Sequence, residues 1–413
     1  MRSSGWISKV LDEVVDIFGG GTPKTSASEY WGGDIPWLSV KDFNDDTRVV
    51  YHTEKSITSL GLMNSAARVL DEGDVVISAR GTVGEVTQLG RPMAFNQSCY
   101  GLRGKRGQLD NTYLYYLLRH KVRDFNQRSH GSVFSTITRD TFRGIHVLLP
   151  EVDEQTAIAA TLSCLDDKIE LNNRMNKTLE EMAQALFKSW FVDFDPVKAK
   201  MEGREPAGMD AETAALFPDE FEDSELGMIP KGWRVSPLRE IVSMNYGKGL
   251  PTNTRVPGNV PVYSSAGLTG NHNEALAEGP CLIVGRKGTI GTVYYVDGPS
   301  YCIDTAYFIR QSDSLLPLRT LFYLLKSLKL EDHNADSAVP GLSRATAYAM
   351  PIVVPPVALV KACNAMLERV CSLVPSNEKS SRCMSELRDT LLPKLMSGEI
   401  RVPEAEDILE EVL

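Results

Sequence analysis

The chain has 413 residues, 42% hydrophobic and 24% charged, with a formal net charge of −10 at pH 7. This length exceeds one ordinary hydrophobic core and predicts two to four domains. No apolar run approaches the roughly 18 residues of a membrane span, and the N-terminus lacks the pattern of a secretory signal, so we expect a cytoplasmic protein. Seven cysteines, odd in number and never spaced C-x-x-C, argue against a disulfide framework and against a metal site.

Residues 1–150 are predicted to form a first globular domain of mixed α+β structure. Short Val- and Ile-rich runs between clusters of Gly, Pro and Asn are typical of strands, and one helix is expected around residues 111–126. The loop "GGGTPKT" at residue 19 is rich in glycine, but no G-K-[ST] follows it, so the sequence does not predict a nucleotide-binding loop.

Residues 151–195 are predicted to form a long helix. The stretch from Asp153, a suitable N-cap, to Phe191 contains neither Gly nor Pro, and at about 1.5 Å per residue it would span roughly 58 Å. A seven-residue repeat predicts a coiled-coil seam along this helix. The seam positions in this first helix are Leu165, Ile169, Asn172, Leu179 and Leu186.

A linker is predicted over residues 196–230, and residues 231–355 repeat the first domain. The segment "GWISKVLDEVV" at residue 5 aligns with "GWRVSPLREIV" at 232, "LYYLL" at 114 with "LFYLL" at 321, and "ITRDTF" at 137 with "LSRATA" at 342. We therefore expect a tandem duplication, with a second domain helix around residues 317–329.

The clearest repeat is a strand followed by a glycine turn. "VVISARGTVGEV" at residue 75 aligns with "CLIVGRKGTIGTV" at 281, which we interpret as pairing Arg80 with Arg286 and Thr82 with Thr289. Glycines after an apolar strand are typical of a tight turn that needs a positive φ or a close backbone approach.

Residues 356–413 are predicted to form a second helix and an acidic tail. The seam positions of this helix are Val370, Val374, Asn377, Met384 and Leu391. Each of the two seams carries one polar residue at the same step, Asn172 in the first helix and Asn377 in the second. A buried Asn in such a seam fixes the register of the helices at some loss of stability.

The second helix is expected to be interrupted, because Pro375 should kink or restart it. The matched Asn172 and Asn377 favour two helices that pack on each other. The alternative is two amphipathic helices that lie separately on their own globules. The predicted fold class is α+β, with two similar mixed α/β globules separated by two long antiparallel helices that form a coiled coil, in a pseudo-two-fold tandem repeat.

The charge is unevenly distributed along the chain. From Arg80 to Arg143 there are eleven basic and four acidic residues, whereas from Glu151 to Glu225 nineteen acidic residues outnumber seven basic ones. The net negative charge therefore does not exclude a nucleic-acid partner for the first domain. From Arg286 to Arg344 seven basic residues stand against six acidic ones, so charge favours DNA only weakly in the second domain.

Several segments resemble the specificity subunits of type I restriction-modification systems. "LFKSWFVDFDPVKAKMEG" at residue 186 and "LFPDEFEDSELGMIPKGW" at 216 resemble their central conserved region. "YWGGDIPWLSVKDF" at 30 and "LPEVDEQTAIAATLSCLDDKIELNN" at 149 resemble the first target-recognition domain and the first conserved helix, and "SELRDTLLPKLMSGEI" at 385 resembles the second. A departure is "PPVALVKACNAML" at 355, which lacks the pair Glu154 and Gln155.

The resemblance implies a DNA-binding subunit that has no catalytic activity of its own and serves defence against foreign DNA. Each target-recognition domain would read one half of a bipartite target in double-stranded DNA. The helices would set the spacer and dock two DNA methyltransferase (modification) subunits. No cofactor is expected in this chain, because S-adenosylmethionine would bind the partner methyltransferase, and cleavage would reside in restriction (motor-nuclease) subunits where these are present.

The candidate DNA-binding residues are polar or charged side chains in the segments that recur in both halves. In the first domain they are Thr22, Lys24, Thr25, Ser39, Lys41, Arg80, Thr82, Gln97 and Arg103. In the second domain they are Lys248, Thr252, Asn253, Tyr263, Ser264, Arg286, Lys287, Thr289 and Asp304. Gln97 aligns with Asp304, and such a change of chemistry at a shared position is suited to reading different bases. Trp37 is expected to be a core aromatic.

Two other functions are compatible with parts of the sequence. A stand-alone DNA adenine methyltransferase is suggested by "DIFGGGTP" at residue 16, which resembles a loop for the methyl donor, but the sequence contains no [ND]-P-P-[YF] motif to hold a flipped adenine. A duplicated module that binds carbohydrate or protein would keep the repeat without DNA binding.

Overall fold

A computed structural model describes residues 5–43, 47–128, 136–333 and 341–412, with the backbone alone for residues 123–128 and 412. The strands are β1 (Ile7–Val10), β2 (Val15–Gly19), β3 (Trp31–Leu38), β4 (Val49–Val50), β5 (Lys55–Ile57), β6 (Val69–Leu70), β7 (Val75–Ser78), β8 (Val86–Leu89), β9 (Met93–Phe95), β10 (Cys99–Gly104), β11 (His146–Leu149), β12 (Phe221–Ser224), β13 (Gly227–Pro230), β14 (Arg234–Pro237), β15 (Asn245–Tyr246), β16 (Val260–Ser264), β17 (Gly267–His272), β18 (Cys281–Gly285), β19 (Val293–Val296), β20 (Tyr301–Cys302), β21 (Ala306–Arg310) and β22 (Pro351–Val354).

The helices are α1 (Leu11–Val14), α2 (Ser59–Met63), α3 (Asn111–Arg128), α4 (Arg139–Arg143), α5 (Val152–Phe191), α6 (Asp195–Met201), α7 (Ala211–Ala215), α8 (Leu318–Ser327), α9 (Arg344–Ala349), α10 (Val357–Cys371), α11 (Val374–Ser397) and α12 (Val402–Val412). The predicted domain helices are confirmed as α3 and α8, and the predicted long helix is confirmed as α5, which begins one residue before Asp153. No helix in the described ranges combines the length and the hydrophobicity that crossing a bilayer requires.

The chain divides into two compact units by packing. The first unit combines residues 1–175 with residues 375–413, and the second unit is residues 176–374. One division falls within α5 and the other falls at the start of α11, so each unit contains one globule together with parts of the long helices. The five segments predicted from the sequence were delimited by residue pattern, whereas these two units are delimited by contacts. The predicted segment boundaries therefore stay predictions.

In the first unit, the central sheet has the strand order β2-β10-β7-β8-β4. Strand β7 ("VVIS") is buried at every position, as expected for an inner strand covered on both faces. A second sheet has the order β5-β3-β9-β6, with β3 and β9 parallel, and β1 pairs antiparallel with β11. The main core joins the central sheet, α3 and α5 with α11 and α12, and its large buried members include Tyr113, Tyr116 and Phe142.

The second unit repeats this topology. Its sheet β15-β21-β18-β19 matches β2-β10-β7-β8, the parallel pair β16 and β20 matches β3 and β9, and β14 with β22 matches β1 with β11. Helix α8 covers this sheet with an apolar face at Leu318, Leu321, Phe322 and Leu325, which is the spacing of one helical stripe. The tandem duplication and the α+β class are thus confirmed at the level of strand pairing.

Backbone hydrogen bonds fix which residues of the two strand-to-turn segments are equivalent. The amide of Ser78 donates to Glu85 O over 2.8 Å, and the amide of Gly285 donates to Thr292 O over 2.8 Å. Both bonds close the same turn, in the same register, at the end of β7 or β18. Ser78 and Gly285 are therefore equivalent positions.

This register corrects one pairing of the sequence analysis. Counting from the equivalent strand ends, Arg80 corresponds to Lys287, and Arg286 occupies the position of Ala79. The predicted pairing of Arg80 with Arg286 was therefore wrong by one residue. The two hydrogen bonds enclose turns of equal length, so the alignment cannot contain an insertion between the strand end and the turn. The pairing of Thr82 with Thr289 agrees with the same count.

The turn glycines have the structural role expected for them. Gly81 and Gly288 have φ values of 80° and 77°, and Gly84 and Gly291 have φ values of 95° and 76°, in the left-handed region that disfavours a side chain. A Cβ on Gly291 would also lie 2.2 Å from the amide nitrogen of Glu331. Backbone geometry therefore explains the two glycines of the repeated "GT[VI]G" pattern.

In the first unit, α5 and α11 pack antiparallel. Asp166 contacts Arg388, and Asn172, which is later on α5, contacts Ser381, which is earlier on α11. Residue numbers therefore rise along one helix as they fall along the other. Within this unit the two helices pack on each other rather than lying apart on separate surfaces.

The polar seam residue Asn172 makes the contacts that its position predicts. It is buried, and its Nδ2 donates to Asn377 O over 3.4 Å and to Ser381 Oγ over 3.2 Å. The two matched seam asparagines are therefore in direct contact, through the side chain of Asn172 and the main-chain carbonyl of Asn377. An amide in this position selects one register of the two helices.

The predicted seam residues differ in burial. Leu165, Ile169, Asn172, Met384 and Leu391 are buried in the first unit, and Asn377 is half-buried there. Leu179, Leu186, Val370 and Val374 are half-buried in the second unit. The side chains of α5 that are buried in the second unit are Ala183, Phe187, Trp190 and Phe191.

Pro375 restarts the second helix, as predicted. Helix α10 ends at Cys371, α11 begins at Val374, and Pro375 lies in the first turn of α11, where a helix has no internal acceptor for the missing N–H. A further proline, Pro393, lies inside α11.

A buried ion pair holds α11 to α5. Arg388 Nη1 lies 2.5 Å from Asp166 Oδ1, the two side chains are 9% and 6% exposed, and Tyr116 donates its hydroxyl to the other oxygen of Asp166 over 2.5 Å. Burial alone lowers the pKa of Arg388, but the charges and hydrogen bonds of Asp166 and Asp389 outweigh it, and the pKa is raised above its ordinary value. The guanidinium therefore stays charged inside the folded unit.

Both units anchor their domain helix to α5 with the same kind of contact. Tyr116 of α3 donates to Asp166, and the equivalent Tyr323 of α8 donates to Glu180 over 2.9 Å. Lys326 also pairs with Glu180 at 2.8 Å. The tyrosine is present in both copies of the repeat, whereas its carboxylate partner is a different residue of α5 in each unit. A hydrogen bond of the same kind therefore connects each globule to α5.

We expect Asp166→Asn to lower the free energy of unfolding by about 2 to 4 kcal/mol, because it leaves the buried guanidinium of Arg388 with Asp389 alone. The double variant Asp166→Asn with Arg388→Met removes the uncompensated charge and should recover most of that loss. Urea denaturation measures the free energy of unfolding of the single and the double variant. Lys231→Gln, which breaks the exposed pair with Glu220, is the control and should have little effect. Equal losses for the single and double variants would contradict the expectation.

We also expect Gly291→Ala to destabilise the protein by more than about 2 kcal/mol, because the new Cβ meets backbone and the φ is strained. Gly298→Ala is the matched control, since a Cβ there meets nothing within 4 Å. Thermal unfolding compares the two variants. A Gly291→Ala protein as stable as the Gly298→Ala protein would show that the turn tolerates a side chain.

Candidate nucleic-acid interface

In the first unit, several loops meet at one end of the two sheets. Main-chain hydrogen bonds of 2.7 to 2.9 Å join the loop after β2, the end of β3, the segment after β9 and the turn after β7. These bonds are Gly21 N to Phe95 O at 2.9 Å, Asn96 N to Leu38 O at 2.9 Å, and Ala79 N to Ser98 O at 2.7 Å. The loops that carry Thr22, Ser39, Arg80 and Gln97 are therefore neighbours.

Most of the candidate side chains on these loops face solvent. The exposed ones are Lys24, Thr25, Lys41, Arg80, Thr82 and Gln97. Thr22 is half-buried and donates its hydroxyl to the Gln97 side chain, which brings two candidates from different loops together. Ser39 is half-buried and bonds through both its amide and its hydroxyl to Asp42, so it caps a short turn.

Trp37 supports the loop after β2 from the core. It is buried, and its indole N–H donates to Gly21 O over 2.9 Å, which confirms the core position expected for it. A Cβ on Gly20 would lie 2.0 Å from Asn96 O, and one on Gly21 would lie 2.2 Å from Ala67 N. The glycines of "GGGTP" thus serve close packing of this loop against neighbouring backbone.

Arg103 is not brought together with the other candidates. It lies on β10, and its guanidinium pairs with Asp71 at 2.6 Å and with Asp74, which is buried, just before β7. The hydrogen bond to Asp74 raises the pKa of Arg103 above its ordinary value. This arginine therefore has a structural role in the sheet, at the end opposite Arg80.

In the second unit, the equivalent loops meet in the same way. The main-chain bonds are Lys248 N to Cys302 O at 3.0 Å, Ile303 N to Tyr263 O at 2.9 Å, and Arg286 N to Thr305 O at 2.9 Å. Arg286 also donates from Nη1 to Asp304 O over 3.3 Å. The structure thus brings together Lys248, Tyr263, Arg286, Lys287 and Asp304.

The remaining candidates of this unit have different environments. Ser264 is buried, and its hydroxyl closes the turn between β16 and β17 by donating to Gly267 O. Thr289 is exposed in the turn after β18. Thr252 and Asn253 are exposed in a short 3-10 turn, and no hydrogen bond in the described ranges joins them to Arg286 or Asp304.

Both units use an arginine that is not among the predicted candidates to bind a main-chain carbonyl before the candidate loops. Arg139 donates from Nη2 to Ile17 O over 3.1 Å, and Arg344 donates from Nη1 to Met244 O over 3.3 Å. These arginines match in "ITRDTF" and "LSRATA", so their recurrence was visible in the repeat. Each ties the short helix α4 or α9 to the segment that leads into the candidate loop.

Tyr246 was also missed, and it distinguishes the two units. It pairs with Tyr307 across β15 and β21, whereas Gly19 pairs with Tyr100 at the equivalent step of the first unit. The guanidinium of Arg286 lies 4.9 Å from the Tyr246 ring centre. No hydrophobic pattern marks this position, and only aligning Gly19 with Tyr246 would have drawn attention to it.

Comparison with known proteins gives the family. The sequence model of the type I restriction modification DNA specificity domain matches residues 3–181 and 230–359. The MjaIX specificity subunit of a type I restriction enzyme from Methanocaldococcus jannaschii is 28% identical over 435 residues, covering 97% of this chain and 94% of that protein. The HindI specificity subunit from Haemophilus influenzae is 27% identical over 339 residues, covering 66% of this chain and 72% of that protein.

The fold is shared with a solved structure. The crystal structure of a type I restriction-modification system S subunit from M. genitalium aligns with a TM-score of 0.57 and 18% identity, over 96% of this chain and 97% of that one. The matched family regions include both repeated globules and make up most of the chain. The chain therefore belongs to the family of type I restriction modification DNA specificity domains.

Proposed function

We propose that this chain is the DNA-recognition (specificity) subunit of a type I restriction-modification complex, in which each unit reads one half of a bipartite target in double-stranded DNA. The observation that carries this proposal is one loop arrangement built twice with different side chains. Gln97 and Asp304 occupy equivalent positions beside the turns of Arg80 and Lys287. An amide and a carboxylate have different hydrogen-bonding capacity toward base edges, so the two units are suited to different half-sites.

The exposed cations on these loops would position the DNA. Lys24, Lys41 and Arg80 are exposed in the first unit, and Lys248 and Lys287 are exposed in the second. Contacts of this kind to phosphates fix register on the duplex, and contacts to base edges give specificity. Arg103 is excluded from this role by its ion pairs with Asp71 and Asp74.

The long helices would set the spacer between half-sites and dock two DNA methyltransferase (modification) subunits. Support comes from α5, which runs unbroken over 40 residues, and from the polar contacts of Asn172 and Asp166 that fix its register against α11 within the first unit. A helix whose register against its partner is fixed cannot slide along that partner. It is therefore suited to keeping the distance between the half-sites constant.

In this proposal the chain has no catalytic activity, S-adenosylmethionine binds the methyltransferase partner, and cleavage belongs to restriction subunits where these are present. The packing of Gly20 and Gly21 against backbone accounts for the glycine loop without a methyl donor. The two relatives compared above are specificity subunits, which favours neither a stand-alone methyltransferase nor a module that binds no DNA.

Exchanging residues 20–145 for the equivalent segment of a relative with another target should change one half-site and leave the other half-site and the spacer unchanged. Methylation mapping of DNA from cells that carry the exchanged chain and its methyltransferase measures this. Exchange of an equivalent segment of the second unit is the matched control and should change the other half-site. Simultaneous change of both half-sites in either exchange would contradict separate reading.

Insertion of four residues into α5 after Asn176 adds about one helical turn, or roughly 6 Å. We expect the spacer of the methylated target to lengthen by about two base pairs, since duplex DNA rises about 3.4 Å per pair, while both half-sites stay the same. An insertion of equal length in the loop at residues 203–208 is the control and should leave the spacer unchanged. Altered half-sites with an unaltered spacer would oppose a spacing role for α5.

A further inference from the structure

The second unit contains a cluster of cations around an aromatic ring. Tyr246 is 46% exposed, and the guanidiniums of Arg286 and Arg344 lie 4.9 Å and 4.7 Å from its ring centre. Lys287 and the buried Tyr307 line the same pocket. We call Tyr246, Arg286, Lys287, Tyr307 and Arg344 the tyrosine-arginine cluster.

The two guanidiniums are held in fixed orientations. Arg286 donates to Asp304 O over 3.3 Å, and Arg344 donates to Met244 O over 3.3 Å, so each uses one donor on the main chain and lies against the ring of Tyr246. A guanidinium has five N–H donors, which leaves most of them for a ligand. These contacts restrain both side chains before a ligand binds, which reduces the conformational entropy lost on binding.

Among the residues that the structure describes, no side-chain carboxylate neutralises the charge of the cluster. The pocket lining of Tyr246, Arg286, Lys287, Tyr307 and residues 341–345 contains no carboxylate, and Arg286, Lys287 and Arg344 form no ion pair within the described ranges. Asp304 contacts Arg286 through its carbonyl oxygen and not through its carboxylate. Burial raises the pKa of Tyr307, so its hydroxyl stays protonated and donates to Leu342 O. Three neighbouring cations that no carboxylate of the described segments pairs with favour an anionic ligand.

The first unit has only part of this arrangement. Arg139 is equivalent to Arg344 and makes a similar main-chain bond, and Arg80 is equivalent to Lys287. Ala79, which is buried, occupies the position of Arg286, and Gly19 occupies the position of Tyr246. The pair of arginines beside one tyrosine ring is therefore a property of the second unit. In that unit, basic residues only slightly outnumber acidic ones between Arg286 and Arg344.

We infer that the tyrosine-arginine cluster is a phosphate clamp that binds one phosphodiester of the DNA backbone, with Arg286 and Arg344 as its two donors. This inference rests on the proposed function and assigns the second unit a sequence-independent anchor. Arginine forks match the geometry of phosphate oxygens and bind them through paired hydrogen bonds. The two guanidiniums lie 4.9 Å and 4.7 Å from the same ring centre, and the clamp assigns them to one anion rather than two.

The test is the salt dependence of DNA binding by the full chain, with a duplex of about 30 base pairs carrying the mapped target as the probe. Neutralising one phosphate changes the slope of log affinity against log salt by about 0.9. Arg286→Gln and Arg344→Gln should each weaken binding about tenfold at low salt. Because both donors serve one phosphate, the double variant should lose only about 0.9 of slope, not twice that value.

Three variants sharpen the result. Tyr246→Phe keeps the ring and should bind like the unchanged chain, whereas Tyr246→Ala removes the support and should behave like the arginine variants. Arg234→Gln removes an exposed charge of the same unit outside the cluster and should leave the slope unchanged. Thermal unfolding of each variant establishes that it is folded.

The outcomes separate the clamp from the proposed function. If the unchanged chain shows no salt-dependent binding to the duplex, the proposed function fails. If the unchanged chain binds but the folded double variant keeps its full slope, the clamp is wrong and DNA recognition stands. If Arg286→Gln alters the methylated half-site while the slope stays constant, Arg286 contacts a base and the clamp is also wrong. A uniform loss across sequences with the smaller slope supports the clamp.

Discussion

The antiparallel packing of α5 against α11 is the constraint on which the first unit depends. Its core includes Leu162 and Leu165 from α5 with Leu391, Leu392 and Leu395 from α11, so neither helix covers the globule alone. Apolar contacts between two helices tolerate a shift along the axis, whereas polar contacts in a buried seam do not. The ion pair of Asp166 with Arg388 and the amide of Asn172 therefore select the observed register of the two helices.

Much of the fold could be predicted from the sequence because the duplication shows which positions recur. The long helix, both domain helices and the restart at Pro375 follow from apolar spacing and from Gly and Pro positions, which act locally. The assignment of Arg80 to Arg286 failed because two adjacent basic residues, Arg286 and Lys287, offer equally good matches in sequence. Only the hydrogen bonds around Ser78 and Gly285 decide between them.

The candidate interface was harder to predict, for a different reason. Arg103 has the composition of a DNA contact but is held by Asp74 and Asp71, which lie 29 and 32 residues away in sequence. Tyr246 and Arg344 are distant in sequence and meet only in the folded unit. The residues that contact a loop side chain come from distant parts of the sequence. A short sequence motif therefore identifies the side chain but does not predict which residues contact it.

The divided sequence of the first unit also bears on the order in which the chain folds. Asp166 and Arg388 are 222 residues apart, and the second unit is synthesised entirely between them. The second unit is therefore synthesised as one continuous segment while the first globule still lacks its partner helix and the carboxylate of Asp166 still lacks its arginine. Synthesis of α11 is what completes the first globule, so a chain that terminates before this helix would lack a finished first unit.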